Sequence, residues 1–373
     1  MVQPSPHSSN FDGVRLGAAL LVIFGHEFSI RGLAQPEIFG SHIASLGVKI
    51  FFSVSGYLVA QSFARDPDAW RFLQRRALRI VPGLVFCVLV TVFVLGPLVT
   101  QGSLANYARD PGTLAYVWNL AFGFAETMPA LFADNPLPHA VNGSLWSLPA
   151  EAAMYCILLA TALASGGSLR RWTLMTLAVF AASLGVVYGF GLNGWTEVLV
   201  YGTRLSAFCV VAGFFCAGSL AWLLRASVPL RFDIAAALVL SGLVLRQTLL
   251  FPLLEPLAVT YVALTLCLRS TPGLRDAARF GDFSYGLYLF AYPLQQTVQQ
   301  AYGDTLDFGP AFALSLAGTI ACAAVSWHAI EKRCMRFKPA ARPSAASAPP
   351  AGGHLYPALP SQPAGPVKSA AAH

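Results

Sequence analysis

Charge is what this sequence has least of. Asp, Glu, Lys and Arg together make up 11% of its 373 residues, apolar residues make up 56%, and the mean hydropathy is +0.60. Soluble domains of that length need more polar surface, so a soluble enzyme is excluded at the outset. The seven cysteines, at 87, 156, 209, 216, 267, 322 and 334, form no CxxC pair and no His/Cys spacing. They read as small apolar residues, and neither a disulfide framework nor a metal is expected. No internal repeat marks the inverted halves of many transporters. The net charge of +7 is scattered in short clusters between apolar runs, which argues against nucleic acid as a partner. The first apolar run follows an uncharged Ser/Pro-rich leader without a small-residue cleavage site, and it is expected to be retained as a span.

Apolar segments fill the chain instead, each long enough for a helix to cross ~30 Å of hydrocarbon, which takes roughly 17 to 25 residues. They predict an all-α polytopic membrane bundle of about ten transmembrane helices, near 14–30, 46–63, 80–100, 144–165, 172–190, 203–223, 232–250, 253–268, 283–301 and 310–331. Alternating the loops puts nineteen Lys and Arg on one side: Arg15, five in 65–79, Arg170, Arg171, Arg225, Arg231, Arg269, Arg275, Arg279 and six from Lys332 to Lys368. Five stand on the other: Arg31, Lys49, Arg109, Arg204 and Arg246. That asymmetry predicts that both termini are cytoplasmic, with residues 1–338 forming one membrane domain in the lipid bilayer. The longest outer segment, 101–143, is expected to hold a short interfacial helix around 113–125. The tail 339–373, with eight Pro and eleven Ala, cannot bury a core and is expected to be disordered in the cytoplasm.

Ionisable groups inside such runs are costly and tend to line a pathway. In "DGVRLGAALLVIFGHE" (12–27), eleven positions separate Arg15 from His26. At ~100° and ~1.5 Å per residue the two share a helix face, His26 roughly 16 Å deeper. A lone buried histidine can also be an ordinary hydrogen-bonding residue between helices. "NGSLWSLPAEAAMY" (142–155) spaces Ser144, Ser147, Glu151 and Tyr155 three and four apart, a polar stripe on an apolar helix. Pro149 puts the helix start near 147 and Ser144 in the entry turn. Glu151 needs a partner; His26 and Arg204 are the candidates, and a structural Glu–Arg pair is the plainer alternative. "RFLQRRALRIVPG" (71–83) either orients its span and touches anionic lipid, or grips phosphate through Arg76 and Arg79 on one face. "GDFSYGLYLFAYPLQQTVQQ" (281–300) aligns Tyr285, Tyr288, Tyr292, Gln295 and Gln299, which suits a sugar, a water-filled groove or plain core packing.

Together and in order, "DGVRLGAALLVIFGHE", "GVKIFFSVSGYLV", "RRALRIVPG", "SLWSLPAE", "TRLSAFCVVAGFFCAG", "FSYGLYLFAYP" and "IEK" resemble the acyltransferase family 3 membrane proteins, O-acyltransferases of bacterial surface polysaccharides, over residues 10–337. The resemblance implies acetyl-CoA as cytoplasmic donor, no metal, a carbohydrate or lipid-linked glycan as acceptor, and the bacterial inner membrane as location. Arg15 and His26 match the family's essential pair, Arg76 and Arg79 its Arg-x-x-Arg motif, and Glu151 the acidic residue after "SLWSL". Lys49 stands where an Asp or apolar residue often precedes "FF". Ala291 stands where many members have a histidine, which counts against a mechanism using a second histidine there. The expected catalytic residues are thus His26, Glu151 and Arg15. The donor would be held by Arg75, Arg76 and Arg79, and the substrate groove lined by Ser144, Ser147, Tyr155, Arg204, Tyr285 and Tyr288. His26 would act as general base or carry the acetyl group covalently, and the residues leave both open. The rival reading is a glycan transporter or flippase that uses the same polar groove without chemistry; it leaves the arginine cluster without a ligand.

Overall fold

The computed structural model describes residues 8–193, 197–269 and 281–340, and these are helical almost throughout. Helix α1 (Ser8–Ile30) leads through a two-stranded hairpin, β1 (Glu37–Ile38) and β2 (Ser41–His42), into α2 (Ile43–Arg65). Helix α3 (Ala69–Val90) continues through a π-helical turn at Thr91–Leu95 into α4 (Gly96–Val99). The segment 101–143 carries only α5 (Leu104–Arg109), α6 (Pro111–Tyr116) and a 3₁₀ turn at Val117–Ala121, two short helices where a single interfacial one was expected. A second 3₁₀ turn, Gly143–Trp146, then feeds α7 (Ser147–Ala164), which starts where Pro149 predicted. The chain continues with α8 (Leu169–Asn193), the hairpin β3 (Leu199–Val200) and β4 (Thr203–Arg204), α9 (Leu205–Leu223), α10 (Phe232–Leu245) and α11 (Phe251–Leu268). Last come α12 (Ser284–Tyr302), α13 (Phe308–Val325), a π-helical turn at Ser326–Glu331, and α14 (Lys332–Cys334).

Among the described residues, eight helical stretches are long and apolar enough to cross a membrane: Asn10–Ile30, Ile43–Arg65, Ala69–Val99, Gly143–Ala164, Leu169–Gly191, Leu205–Leu223, Phe251–Leu268 and Phe308–Phe337. The protein is therefore a polytopic helical membrane protein. Two of the ten expected spans differ from the rest. Helix α10 has 14 residues, about 21 Å at helical rise, because the apolar run after Leu245 leaves the helix for turns. Helix α12 has the length but is rich in Tyr and Gln. Arg275, Arg279 and the tail from residue 341 lie outside the described residues.

In lipid, helices associate through close contact of small residues and buried polar bonds rather than through water exclusion. Helices α2 and α9 show this: a Cβ added at Gly218 would lie 2.0 Å from the Ser53 carbonyl oxygen, and one at Gly56 2.0 Å from that of Phe215. Where α2 meets α11, Lys49 Nζ pairs with Glu255 Oε1 at 2.6 Å, and the Ser41 hydroxyl donates to the same carboxylate oxygen at 2.6 Å. The Lys49 ammonium also lies 5.2 Å from the centre of the Phe214 ring. Helix α1 packs among α2, α11, α12 and α13, which puts its polar residues inside the bundle.

Candidate active site

Five helices enclose a cavity of about 90 Å³. Helix α1 supplies Arg15, α2 Ser55, α3 Arg76 and Arg79, α7 Ser147, Glu151 and Tyr155, and α12 Tyr285 and Tyr288. Eight of the twelve residues singled out from sequence line it; Arg75, His26, Ser144 and Arg204 do not.

One end of the cavity is cationic. Arg79 donates to Asp282 Oδ2 at 2.6 Å, Arg15 reaches the same oxygen at 3.3 Å, and the Ser284 hydroxyl donates to the other at 2.7 Å. Burial pushes the Asp282 carboxyl up, but the two guanidinium groups outweigh it and hold it well below the usual carboxylate range. Glu331, turned inward by the π-helical turn and held by the Ser326 hydroxyl at 2.7 Å, stands 4.0 Å from Arg79. Lys338 lies nearby, its pKa lowered to about 8 by burial and by the neighbouring Arg79 and Arg76.

Arg76 is in a different position. No carboxylate makes an ion pair with it among the described residues, and its Nε is buried without a partner. Its guanidinium lies 5.7 Å from the Tyr155 ring centre and 6.0 Å from that of Phe72. Arg75 has the opposite fate: it points away from the cavity and pairs with Asp66 at 2.6 Å, which Arg71 also holds. Arg71 first, and Arg75 after it, keep the Asp66 carboxyl well below its ordinary range. The expectation that Arg75 joins the donor site is therefore corrected; its charge is used to fasten the turn between α2 and α3.

Glu151 finds neither His26 nor Arg204. The Tyr155 hydroxyl, one turn along α7, donates to its carboxylate, and the Ser55 hydroxyl donates from α2 at 3.2 Å. The nearby cation is Arg76, within electrostatic reach. Arg204 is exposed on β4, beyond the cavity, and faces Glu126 and Glu197 instead.

The end of the cavity opposite the arginines is a wall of hydroxyls. Ser147 Oγ and Tyr288 Oη are 2.6 Å apart, and the Tyr288 hydroxyl also reaches the Ser144 carbonyl at 2.7 Å. Behind this wall stands His26: Ser144 Oγ lies 3.5 Å from its Nδ1, and the Tyr292 ring meets it edge-on at 5.1 Å. Its Nε2 has no partner among the described residues. Arg15 meets Asp282 just before α12 and His26 meets Tyr292 within it, so both lie on the face of α1 that the helical spacing predicted. Glu27, one position round, takes a bond from Gln295 at 2.8 Å instead.

Sequence reasoning missed Asp282, Ser55, Glu331 and Lys338. Asp282, Ser55 and Glu331 stand inside quoted motifs, "GDFSYGLYLF", "FFSVSGYLV" and "IEK", where a carboxylate or hydroxyl among apolar residues was the available signal. Glu331 is turned inward by the π-helical turn, which sequence does not announce, and Lys338 follows the short helical turns after it.

The chain matches, over residues 8–328, the family model described as an acyltransferase domain. It belongs to this acyltransferase family. An O-acetyl transferase of Shigella phage Sf6 is 30% identical over 343 residues, covering 88% of this chain and 96% of that protein. Nodulation protein 10 of Rhizobium leguminosarum bv. viciae is 28% identical over 364 residues, covering 90% of this chain and 95% of its own. No solved structure matches the chain. Acyl transfer needs a base for the incoming nucleophile, donors for the oxyanion and a seat for the acyl donor. In this acyltransferase a titratable ring, the Ser147 and Tyr288 hydroxyls and a cationic chamber lie in line.

Proposed function

We propose that the protein is an O-acetyltransferase that takes acetyl-CoA from the cytoplasm and acetylates a hydroxyl of a bacterial surface carbohydrate, free or lipid-linked, at the opposite face of the inner membrane. The observation that carries this is the cavity itself, with three guanidinium groups at one end and, at the other, two hydroxyls that separate it from His26. The name of the Shigella phage Sf6 relative, an O-acetyl transferase, supports O-acetyl transfer. In this reading α10 and α12 also cross, giving ten spans with both termini cytoplasmic. Amide and hydroxyl donors of α12 bond within the bundle, Gln295 to the Ile23 carbonyl and Glu27, Gln296 to the Leu137 and Ala140 carbonyls, and Tyr285 to the Ile80 carbonyl, in keeping with a polar span, while the amide oxygens of Gln295, Gln299 and Gln300 are buried without a partner among the described residues.

Arg76, with its unpartnered buried Nε, and Arg15 and Arg79 beside it fit the phosphates of the donor, which guanidinium forks bind well. Parting of the Ser147–Tyr288 pair admits the thioester to His26. The ring then removes the proton of the acceptor hydroxyl or takes the acetyl group itself, while the freed hydroxyls donate to the oxyanion. Loss of a positioned base or nucleophile costs about 10²- to 10⁴-fold in rate. His26→Ala is expected to abolish acetylation of the surface carbohydrate, read by mass spectrometry of a complemented deletion strain, without lowering membrane abundance. Full activity in that variant rejects the role.

A further inference from the structure

Away from the arginine chamber, the segment 122–143 lays a carboxylate against Gly143 and Tyr292, two neighbours of the His26 contacts. The Glu126 carbonyl accepts the Val141 N–H at 2.8 Å and the Asn142 N–H at 3.3 Å, which ties this residue to the entry turn of α7. Its side chain comes to rest over Gly143: a Cβ there would lie 3.0 Å from Glu126 Oε1 and 3.0 Å from the Tyr292 ring. Gly143 is next to Ser144, which touches His26, and Tyr292 touches the ring edge-on. Thus Glu126, Tyr292 and His26 border one small region that only a residue without a side chain leaves open.

The Tyr292 ring is packed in the core with Ile30 and Ala140, but the polar atoms of Glu126 and Tyr292 are left over. Among the described residues the Glu126 carboxylate makes no hydrogen bond or ion pair, and the Tyr292 hydroxyl has no partner. Burial pushes the Glu126 carboxyl above the usual range, and only the more distant Arg204 pulls it back. A half-buried carboxylate left without donors is costly, and hydroxyl donors from a ligand would relieve it. Two adjacent sugar hydroxyls match the two oxygens of a carboxylate, and the partnerless Tyr292 hydroxyl adds a donor and acceptor at the same place.

We propose that Glu126 and Tyr292, with Arg204 at the rim, form the acceptor subsite of the enzyme and take a sugar unit that presents adjacent free hydroxyls. This rests on the O-acetyltransferase reading above. Glu126 accepts from one or both hydroxyls and so fixes which of them faces Nε2 of His26; it binds and orients the acceptor and transfers no group.

The test uses the full-length protein in detergent, acetyl-CoA, and polysaccharide extracted from a strain of the source organism lacking the gene. Initial rates are measured against each substrate for wild type, Glu126→Gln, Glu126→Asp and Glu126→Ala. Glu126→Gln is expected to raise the KM for the polysaccharide about 10-fold or more, the loss of hydrogen bonds to a charged group, with the KM for acetyl-CoA within about twofold of wild type. Glu126→Asp, which keeps the charge, should recover part of the acceptor affinity. An unchanged acceptor KM in both Gln and Ala variants overturns the subsite. So does an equal rise in both KM values, or failure of the isosteric Gln variant to accumulate, since each makes Glu126 a support of the fold. If wild type and His26→Ala are alike in acetylating nothing, the parent reading falls, and the subsite falls with it.

Discussion

Replacing Arg76 by Met separates the arginine that awaits a ligand from those already committed. Arg75 spends its charge on Asp66 at 2.6 Å and Arg79 on Asp282 at 2.6 Å, whereas Arg76 has no carboxylate in ion-pair contact among the described residues. A hydrogen bond to a charged group contributes about 1.5–3 kcal/mol, which converts to roughly 10- to 150-fold in affinity. Arg76→Met should therefore raise the KM for acetyl-CoA by about that factor. Met keeps the aliphatic contact with the Phe72 and Tyr155 rings, so kcat should stay within about threefold, as when binding common to ground and transition states is lost. The assay follows release of the CoA thiol in detergent at varied acetyl-CoA. Arg75→Met is the control: its KM should stay within about threefold of wild type, while the Asp66 clasp weakens and thermal stability drops. Equal KM effects in the two variants, or an Arg76 effect confined to the acceptor, would refute the assignment.

Three further outcomes follow from the same geometry. Lys338, with a pKa of about 8, is cationic below that pH and neutral above it, so the KM for acetyl-CoA should climb as pH rises through about 8, and Lys338→Met should flatten that profile; a profile identical in both proteins excludes it from the donor site. Lys49→Met alone strands the Glu255 carboxylate and should cost about 3–5 kcal/mol in unfolding assays, most of it recovered in the double variant Lys49→Met/Glu255→Leu; additive losses would count against the pair. Gly218→Ala drives a methyl to within 2.0 Å of the Ser53 carbonyl and should lower the melting temperature, whereas Gly17→Ala, with nothing within 4 Å, should raise it slightly.

The parts of the site that could be read from sequence are those set by helical periodicity. Ser147, Glu151 and Tyr155 fall on one face of α7 because their spacing requires it, and Arg15 and His26 share a face of α1 for the same reason. Periodicity fixes an angle around one helix but not what stands opposite. Arg75 and Arg76 are neighbours in sequence and about 100° apart on α3; Asp66, at the turn before the helix, settles which of them is spent on structure. Glu151 was matched to distant cations because a buried carboxylate calls for charge, yet the hydroxyls of Tyr155 and Ser55 satisfy it, with Arg76 at longer range. Hydropathy counts apolar residues whatever their backbone does, so the run 232–250 looked like a full span although its last five residues lie in turns.

The depth of His26 was legible, but its isolation from the cavity was not. Helical rise places the ring roughly 16 Å from Arg15 on one face of α1, but periodicity is silent on whether the space between them is open. What intervenes is the Tyr288 hydroxyl, held by Ser147 at 2.6 Å and by the Ser144 carbonyl at 2.7 Å, on residues that sequence had assigned to the groove lining itself. Each of these bonds is worth only about 0.5–1.5 kcal/mol, so they can part at modest cost. When closed the contact keeps the donor chamber and the region under Glu126 from being continuous. In the proposed reaction, donor and acceptor arrive from opposite faces and water must not cross between them, which a closed hydroxyl contact achieves more cheaply than a moving helix. Tyr288→Phe removes one hydroxyl and keeps the ring; it should raise acetyl-CoA hydrolysis in the absence of acceptor relative to acetyl transfer in its presence. An unchanged ratio would mean that the contact is packing rather than a barrier.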